Sequence, residues 1–131
     1  TYPLFNNLTL GAFNLKKLSL NKLEFICDGK AGLVVLTKED LENCNATFED
    51  TKGLTDAPMQ IGKVKCVVVA TQSPYDGIYY VSIRTKDNFS SKNIASELGG
   101  GGHLKAAGGK VDASKDIVRE TLIKAISKEI K

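Results

Sequence analysis

The hydrophobic pattern along the chain predicts strands and helices in alternation. Residues 64–70 (VKCVVVA) are almost continuously apolar and β-branched, which indicates a strand covered on both faces. Residues 78–84 (IYYVSIR) form a strand of period two, with Tyr79, Val81 and Ile83 on its core face. The last segment follows the 3.6-residue period of a helix, with apolar positions at Ile117, Val118, Leu122, Ala125, Ile126 and Ile130. Such a mixture predicts a layered α/β fold.

Turn and cap signals mark the ends of these elements. Two apolar runs flank Asp28-Gly29, which predicts a hairpin over residues 23–36, and a second Asp-Gly turn lies within residues 72–77. Thr37 followed by Asp40 is a helix start signal, after which Leu41, Cys44 and Phe48 continue one apolar face.

The second half of the chain carries further signals of the same kind. A short helix is expected around residues 54–61, with Pro58 in its first turn. Ser90 or Ser91 can cap a helix that ends at Gly99, and Ser114 can cap the last helix. Residues 106–111 are expected to form one more short strand.

Together these signals predict an α/β fold with a mixed central sheet of about five strands flanked by helices, in a single small domain. Residues 1–22 have a weak helical pattern, and we interpret them as a linker between lobes with a first helix. Residues 23–131 form the domain itself. The length of 131 residues suits one domain that buries a core without disulfides.

Composition narrows the classes of function. The longest apolar run, residues 66–70, is far too short to span a bilayer, and no signal peptide is evident, so we expect a cytoplasmic protein without a membrane partner. The three cysteines are widely spaced and are expected to be free thiols. With one histidine, the chain offers no zinc spacing, and we expect it to bind no metal. The net charge of +3 suits one anionic ligand better than a long nucleic acid.

Residues 97–109 (ELGGGGHLKAAGG) hold the candidate chemistry. A glycine run lets the backbone approach a ligand closely, and successive N–H groups of Gly99–Gly102 can converge on an anion. A helical turn beginning near Gly102 would add to that field. His103, the only histidine, ends the run, where it can donate to a phosphate oxygen or act as a proton donor. The alternative is a flexible linker beside a surface histidine.

The second candidate cluster lies on the polar face of the strand 78–84. Tyr80, Ser82 and Arg84 share that face and present an aromatic ring, a hydroxyl and a guanidinium in register. Most arginines are solvent-exposed, so Arg84 alone is weak evidence. With the glycine run, it predicts an anion site but no particular reaction.

These two segments resemble a known family. GGGGHLKAAGG resembles the glycine-rich GGGH signature of the substrate-binding lobe of DHH-family phosphoesterases, and VSIRT (81–85) resembles the V-S-x-R-S element before it. Residues 36–54 resemble the branch containing oligoribonucleases (nano-RNases) and phosphoadenosine-phosphate phosphatases. No Asp-His-His string is found here, so the resemblance implies the second lobe only, expected to be inactive alone, with Mn²⁺ held by an N-terminal Asp-His-His lobe.

The resemblance also implies roles. Arg84, Ser82 and the Gly100–Gly102 loop would bind substrate phosphate, and His103 would lie beside the scissile phosphate as the candidate catalytic residue. The implied reaction is two-metal hydrolysis of short oligoribonucleotides or of 3′-phosphoadenosine 5′-phosphate. Three alternatives stay open: a cyclic-dinucleotide phosphodiesterase lobe, a non-catalytic module that binds nucleotides or RNA ends, and a regulatory or dimerising domain. The sequence also leaves open a homodimer.

Overall fold

The structure, a computed structural model, describes residues 9–130 and begins with a helix and a hairpin. Helix α1 spans Leu10–Lys22, and strands β1 (Glu24–Ile26) and β2 (Ala31–Leu36) pair antiparallel. The turn between them has positive φ at Cys27, Asp28 and Gly29, which confirms the Asp-Gly hairpin. Residues 1–8 of the expected linker lie outside the described residues, so the linker and its boundary at residue 22 stay predictions.

Three short helices follow the hairpin. Helix α2 spans Lys38–Asn43, a 3₁₀ helix spans Phe48–Thr51, and α3 spans Asp56–Met59. Thr37 and Asp40 form the predicted capping box at the start of α2. The expectation that Phe48 continues the face of α2 is wrong, because Asn45 adopts a φ of 56° and ends the helical path. Phe48 nevertheless packs on the same core cluster as Leu41.

The second half of the chain completes the sheet. Strands β3 (Cys66–Gln72) and β4 (Tyr79–Thr85) precede helix α4 (Ser91–Glu97), and strands β5 (Gly101–Gly102) and β6 (Ala106–Val111) precede helix α5 (Lys115–Glu129). The Ser90 hydroxyl caps α4 by accepting a hydrogen bond from the Asn93 N–H at 3.1 Å. Ser114 occupies the N-cap position of α5 without making a side-chain cap bond.

The described residues form one six-stranded sheet in the order β1-β2-β3-β4-β6-β5. β2 and β3 are parallel and the other neighbouring pairs are antiparallel. The predicted α/β class with a mixed sheet in a single domain is therefore confirmed, with one strand more than expected. The extra strand is β5, which comes from the glycine run that the sequence analysis treated as a loop.

The two faces of the sheet are covered unequally. One face packs against α4 and α5 in a cluster that includes Val68, Val81, Ile83, Ile94 and Leu122. The other face is covered over β2 and β3 by α1, α2 and the 3₁₀ helix. β3 is accordingly buried at six consecutive positions, whereas β4 alternates between buried and exposed. We call the uncovered face of β4, β6 and β5 the open half-sheet.

The capping box of α2 generates a stability prediction. The Asp40 carboxylate accepts hydrogen bonds from the Lys22 ammonium at 2.7 Å and the Thr37 N–H at 2.9 Å. Burial raises the pKa of Asp40, but these hydrogen bonds outweigh it, and the pKa lies below its usual range. The resulting stabilisation is present above the unfolded-state pKa of about 3.9 and is lost as the pH falls through the folded-state pKa.

Asp40→Asn should therefore lower the free energy of unfolding by about 1 kcal/mol at neutral pH. The difference from the parent chain should shrink below about pH 4, where the parent loses the same interaction. Urea denaturation across the acid range measures both effects. Glu39→Gln, at an exposed position in the same helical turn, is the control and should change stability less. An equal loss in both variants would contradict the assignment.

Candidate functional site

Strand β4 carries the three polar-face residues expected from its alternation. Tyr79, Val81 and Ile83 are buried, whereas Tyr80, Ser82 and Arg84 are exposed. Tyr80, Ser82 and Arg84 are paired with Lys110, Gly108 and Ala106 of β6. The open half-sheet therefore presents a hydroxyl and a guanidinium beside a strand of small residues.

The hairpin of β5 and β6 brings His103 into the same region. Gly101 is opposite Gly108, which is itself opposite Ser82. The His103 N–H donates to the Ala106 carbonyl oxygen at 2.8 Å, and Ala106 is opposite Arg84. Two neighbouring cross-strand rows result, Ser82-Gly108-Gly101 and Arg84-Ala106-His103. Ordinary strand spacing puts the Cα atoms of Arg84 and His103 about 10 Å apart, with Ala106 between them.

The backbone N–H groups of the glycine run do not form the converging group that the sequence predicts. The N–H of Gly99 donates to the Ser96 carbonyl at 3.1 Å, and that of Gly100 donates to the Ala95 carbonyl at 2.8 Å, which closes the end of α4. The His103 amide is used in the hairpin, and Gly102 continues a strand, not a helical turn. Successive amides therefore do not converge as a group. The alternation of antiparallel pairing leaves the Gly102 amide on the outer side of the edge strand.

The three glycines at positions 100–102 have different reasons to lack a side chain. A Cβ at Gly100 would lie 2.2 Å from the Gly108 carbonyl oxygen, and one at Gly102 would lie 2.6 Å from the Ala107 Cα. Both residues are thus required for the close approach of β5 to β6. A Cβ at Gly101 would meet nothing within 4 Å. The fold gives no steric reason for glycine at that position, which lies in the Ser82 row of the open half-sheet.

A cleft of about 250 Å³ lies over this part of the sheet. Its floor includes Ser82, Arg84 and Ala106, and its wall is the segment 51–55. Arg84 pairs with Asp56 of α3 at 3.4 Å, with both side chains about half exposed. An exposed pair of this kind stabilises the fold little, so an anionic ligand can replace Asp56.

Sequence reasoning missed the residues of this wall. Lys52 lines the cleft and pairs with Glu49 at 2.9 Å, but both side chains are highly exposed and this pair is also weak. Neither Lys52 nor Asp56 belongs to a local motif that points to β4. Only the packing of the segment 51–56 over the sheet brings them to Arg84.

Comparison with known proteins identifies the domain. The family model described as the DHHA1 domain matches residues 30–131. The chain belongs to the DHHA1 domain family. This domain accompanies the DHH catalytic domain of DHH-family phosphoesterases, so the resemblance of the glycine and VSIRT motifs is confirmed at the level of the family.

Solved structures share the fold of this DHHA1 domain. An exopolyphosphatase-related protein from Bacteroides fragilis matches with a TM-score of 0.86 and 23% identity over 95% of this chain. The pGpG-specific phosphodiesterase PggH from Vibrio cholerae matches with a TM-score of 0.58 and 15% identity over 91% of this chain. The matches cover 36% and 40% of those chains, so the DHHA1 domain corresponds to part of each. A search against curated proteins found no match.

Within residues 9–130, no group of three or more His, Cys, Asp or Glu side chains is arranged to hold a metal ion. The described part of the chain likewise has no helix long and apolar enough to cross a membrane. The cysteines 27, 44 and 66 are free thiols, as expected, and burial raises the pKa of Cys66 to about 12.

A buried hydroxyl pair fixes the turn that carries His103. The Thr85 hydroxyl lies 2.9 Å from the Ser91 hydroxyl, 2.9 Å from the Phe89 carbonyl oxygen and 3.1 Å from the Leu104 carbonyl oxygen. The Ser91 N–H also donates to the Leu104 carbonyl oxygen at 2.6 Å. The end of β4, the start of α4 and the β5–β6 turn are therefore joined at one point.

The close strand approach predicts opposite effects for two neighbouring substitutions. Gly100→Ala should destabilise the DHHA1 domain by about 1–3 kcal/mol, because its Cβ collides with backbone that cannot move without breaking the hairpin. Gly101→Ala should leave the melting temperature nearly unchanged, because its Cβ enters open space. Thermal unfolding followed by circular dichroism distinguishes the two. Equal destabilisation would refute the steric explanation.

The hydroxyl pair predicts a local effect on the His103 turn. Thr85→Val keeps the side-chain shape but leaves the Ser91 hydroxyl without this partner, which should cost about 1–3 kcal/mol. Amide hydrogen exchange at His103 and Ser91 should accelerate, since both amides bond within the joined region. Thr85→Ser keeps the hydroxyl and should restore slow exchange. Unchanged exchange in Thr85→Val would contradict the positioning role.

Proposed function

We propose that this DHHA1 domain is the substrate-binding lobe of a metal-dependent phosphoesterase that acts on short oligoribonucleotides, on 3′-phosphoadenosine 5′-phosphate, or on both. The phosphate binds over the open half-sheet, between Arg84 and His103. The observation that carries the proposal is the pair of cross-strand rows, which aligns Ser82 with Gly101 and Arg84 with His103.

The chemistry of these residues suits a terminal phosphate. A guanidinium presents donors in a planar fork that matches phosphate oxygens, and the Ser82 hydroxyl lies two residues away on the same strand face. The imidazole of His103 is exposed at the end of β5, where it can donate to a phosphate oxygen. Gly101 and Gly108 leave bare backbone between these groups, so a ligand can approach the sheet closely.

Hydrolysis itself is assigned to a separate DHH catalytic domain. The metal-dependent chemistry expected of the family needs ligands that do not cluster within residues 9–130. We therefore assign Mn²⁺ to that catalytic domain and substrate binding to this one. The 131-residue chain alone is expected to bind nucleotides without turning them over, and we expect the whole protein to be cytoplasmic.

Titration of the 131-residue chain with a 5′-phosphorylated diribonucleotide tests the proposal. A charge-assisted hydrogen bond contributes about 1.5–3 kcal/mol, so Arg84→Gln and His103→Ala should each weaken binding by roughly tenfold or more. Gly101→Ala should weaken binding while keeping the melting temperature, because its methyl group occupies the ligand side of β5. Isothermal titration calorimetry measures all three affinities.

Two control variants make the outcome specific. Arg119→Gln changes the other arginine, which pairs with Glu24 at 2.7 Å, and it should leave ligand affinity unchanged. Gly62→Ala adds a methyl group in open space at a position outside the cleft, and it should also bind normally. Normal binding by both Arg84→Gln and His103→Ala would end the proposal. If this chain binds the nucleotide only when Mn²⁺ is present, the assignment of the metal to another domain is refuted.

A further inference from the structure

A second cleft adjoins the cleft at Arg84 and extends along β4. This cleft has a volume of about 200 Å³ and is lined by Phe48, Thr71 and Tyr80. It shares Thr51, Lys52, Val69 and Ser82 with the cleft at Arg84. Arg84 and Tyr80 lie four residues apart on the same strand face, so their Cα atoms are about 13 Å apart. The two clefts therefore form one groove with a cation at one end and aromatic rings at the other.

The aromatic end of the groove is held in a fixed arrangement. The rings of Phe48 and Tyr80 pack edge to face, with centroids 5.7 Å apart and planes at 75°. The Tyr80 hydroxyl donates to an Asp76 carboxylate oxygen at 2.8 Å, and the same carboxylate accepts the Ile78 N–H at 3.0 Å. The pKa of Asp76 is lowered by these two hydrogen bonds, the backbone one first. The Tyr80 ring is thus held by its contact with Phe48 and by its hydroxyl.

This arrangement leaves part of the Tyr80 ring available to a ligand. Tyr80 remains 37% exposed, although its neighbours on the same strand, Tyr79 and Val81, are each 3% exposed. Lys52 lines the groove between the two ends, where it pairs with the exposed carboxylate of Glu49. The order along the groove is therefore a guanidinium, an ammonium and an aromatic ring.

We propose that the Tyr80–Phe48 pair binds the base of a second nucleotide, so that the groove selects a dinucleotide over a single nucleotide or an inorganic polyphosphate. The inference rests on the proposed function, because it takes the phosphate end of the ligand to lie at Arg84. Inorganic polyphosphate has no ring to stack on Tyr80, whereas every base has one. The phosphate and the base of a mononucleotide are closer together than the roughly 13 Å between the Arg84 and Tyr80 Cα atoms, whereas a dinucleotide spans that separation. Lys52 then faces the phosphate that links the two nucleosides.

The test compares three ligands on the 131-residue chain by calorimetry: pGpG, guanosine 5′-monophosphate and inorganic tripolyphosphate. Tyr80→Leu, which removes the ring, should weaken pGpG binding about tenfold and leave the affinities for the other two ligands unchanged. Tyr80→Phe keeps the ring and should bind pGpG like the parent chain. Tyr75→Leu is the matched control, since Tyr75 is 87% exposed in the adjoining turn and should not affect binding.

The outcomes separate this inference from the proposed function. If Arg84→Gln weakens all three ligands but Tyr80→Leu changes none, the phosphate site stands and the base subsite is refuted. If Tyr80→Leu weakens all three ligands equally, Tyr80 acts on the phosphate end or on the fold, and the subsite is again refuted. If the parent chain binds none of the ligands, both proposals fail.

Discussion

The close approach of the β5 backbone to β6 is the constraint on which the site depends. The bare Cα of Gly100 lies where any Cβ would come within 2.2 Å of the Gly108 carbonyl oxygen. This approach lets a two-residue strand pair at the sheet edge and ends in the bond from the His103 N–H to Ala106. Without that pairing, His103 would lie on a loop with no fixed relation to Arg84. Gly100 and Gly102 thus act through strand packing, whereas strand packing gives no reason for a glycine at position 101.

The second determinant is the unequal covering of the sheet. The layer made by α1, α2 and the 3₁₀ helix ends over β3, so β3 is buried on both faces and β4 on only one. A sheet with an uncovered polar face offers ordered side chains and bare backbone on a rigid base. The edge of the covering layer, the segment 51–56, becomes the wall of the groove and contributes Lys52 and Asp56.

The ion pairs along the groove are weak, and that weakness suits ligand exchange. The Arg84–Asp56 and Lys52–Glu49 pairs are both exposed, so water screens them and, under the proposed function, a phosphate would replace either carboxylate with little loss of stability. The buried Thr85–Ser91 hydroxyl pair is different, because it lies away from solvent and holds the His103 turn. The fold therefore combines a His103 turn held by buried hydrogen bonds with two cations, Arg84 and Lys52, whose ion pairs are weak and exposed.

The sequence by itself determined the elements whose signals are local. The alternation in residues 78–84, the Asp28-Gly29 turn and the Thr37 capping box each follow from contacts within a few residues, and the glycine and VSIRT motifs indicated the family. Only the tertiary structure decided that Gly101 and Gly102 form a strand, that Phe48 leaves the α2 path to meet Tyr80, and that Asp56 reaches Arg84. The reason is physical: these features depend on strand register and layer packing between residues distant in the chain, and no short-range periodicity encodes such contacts.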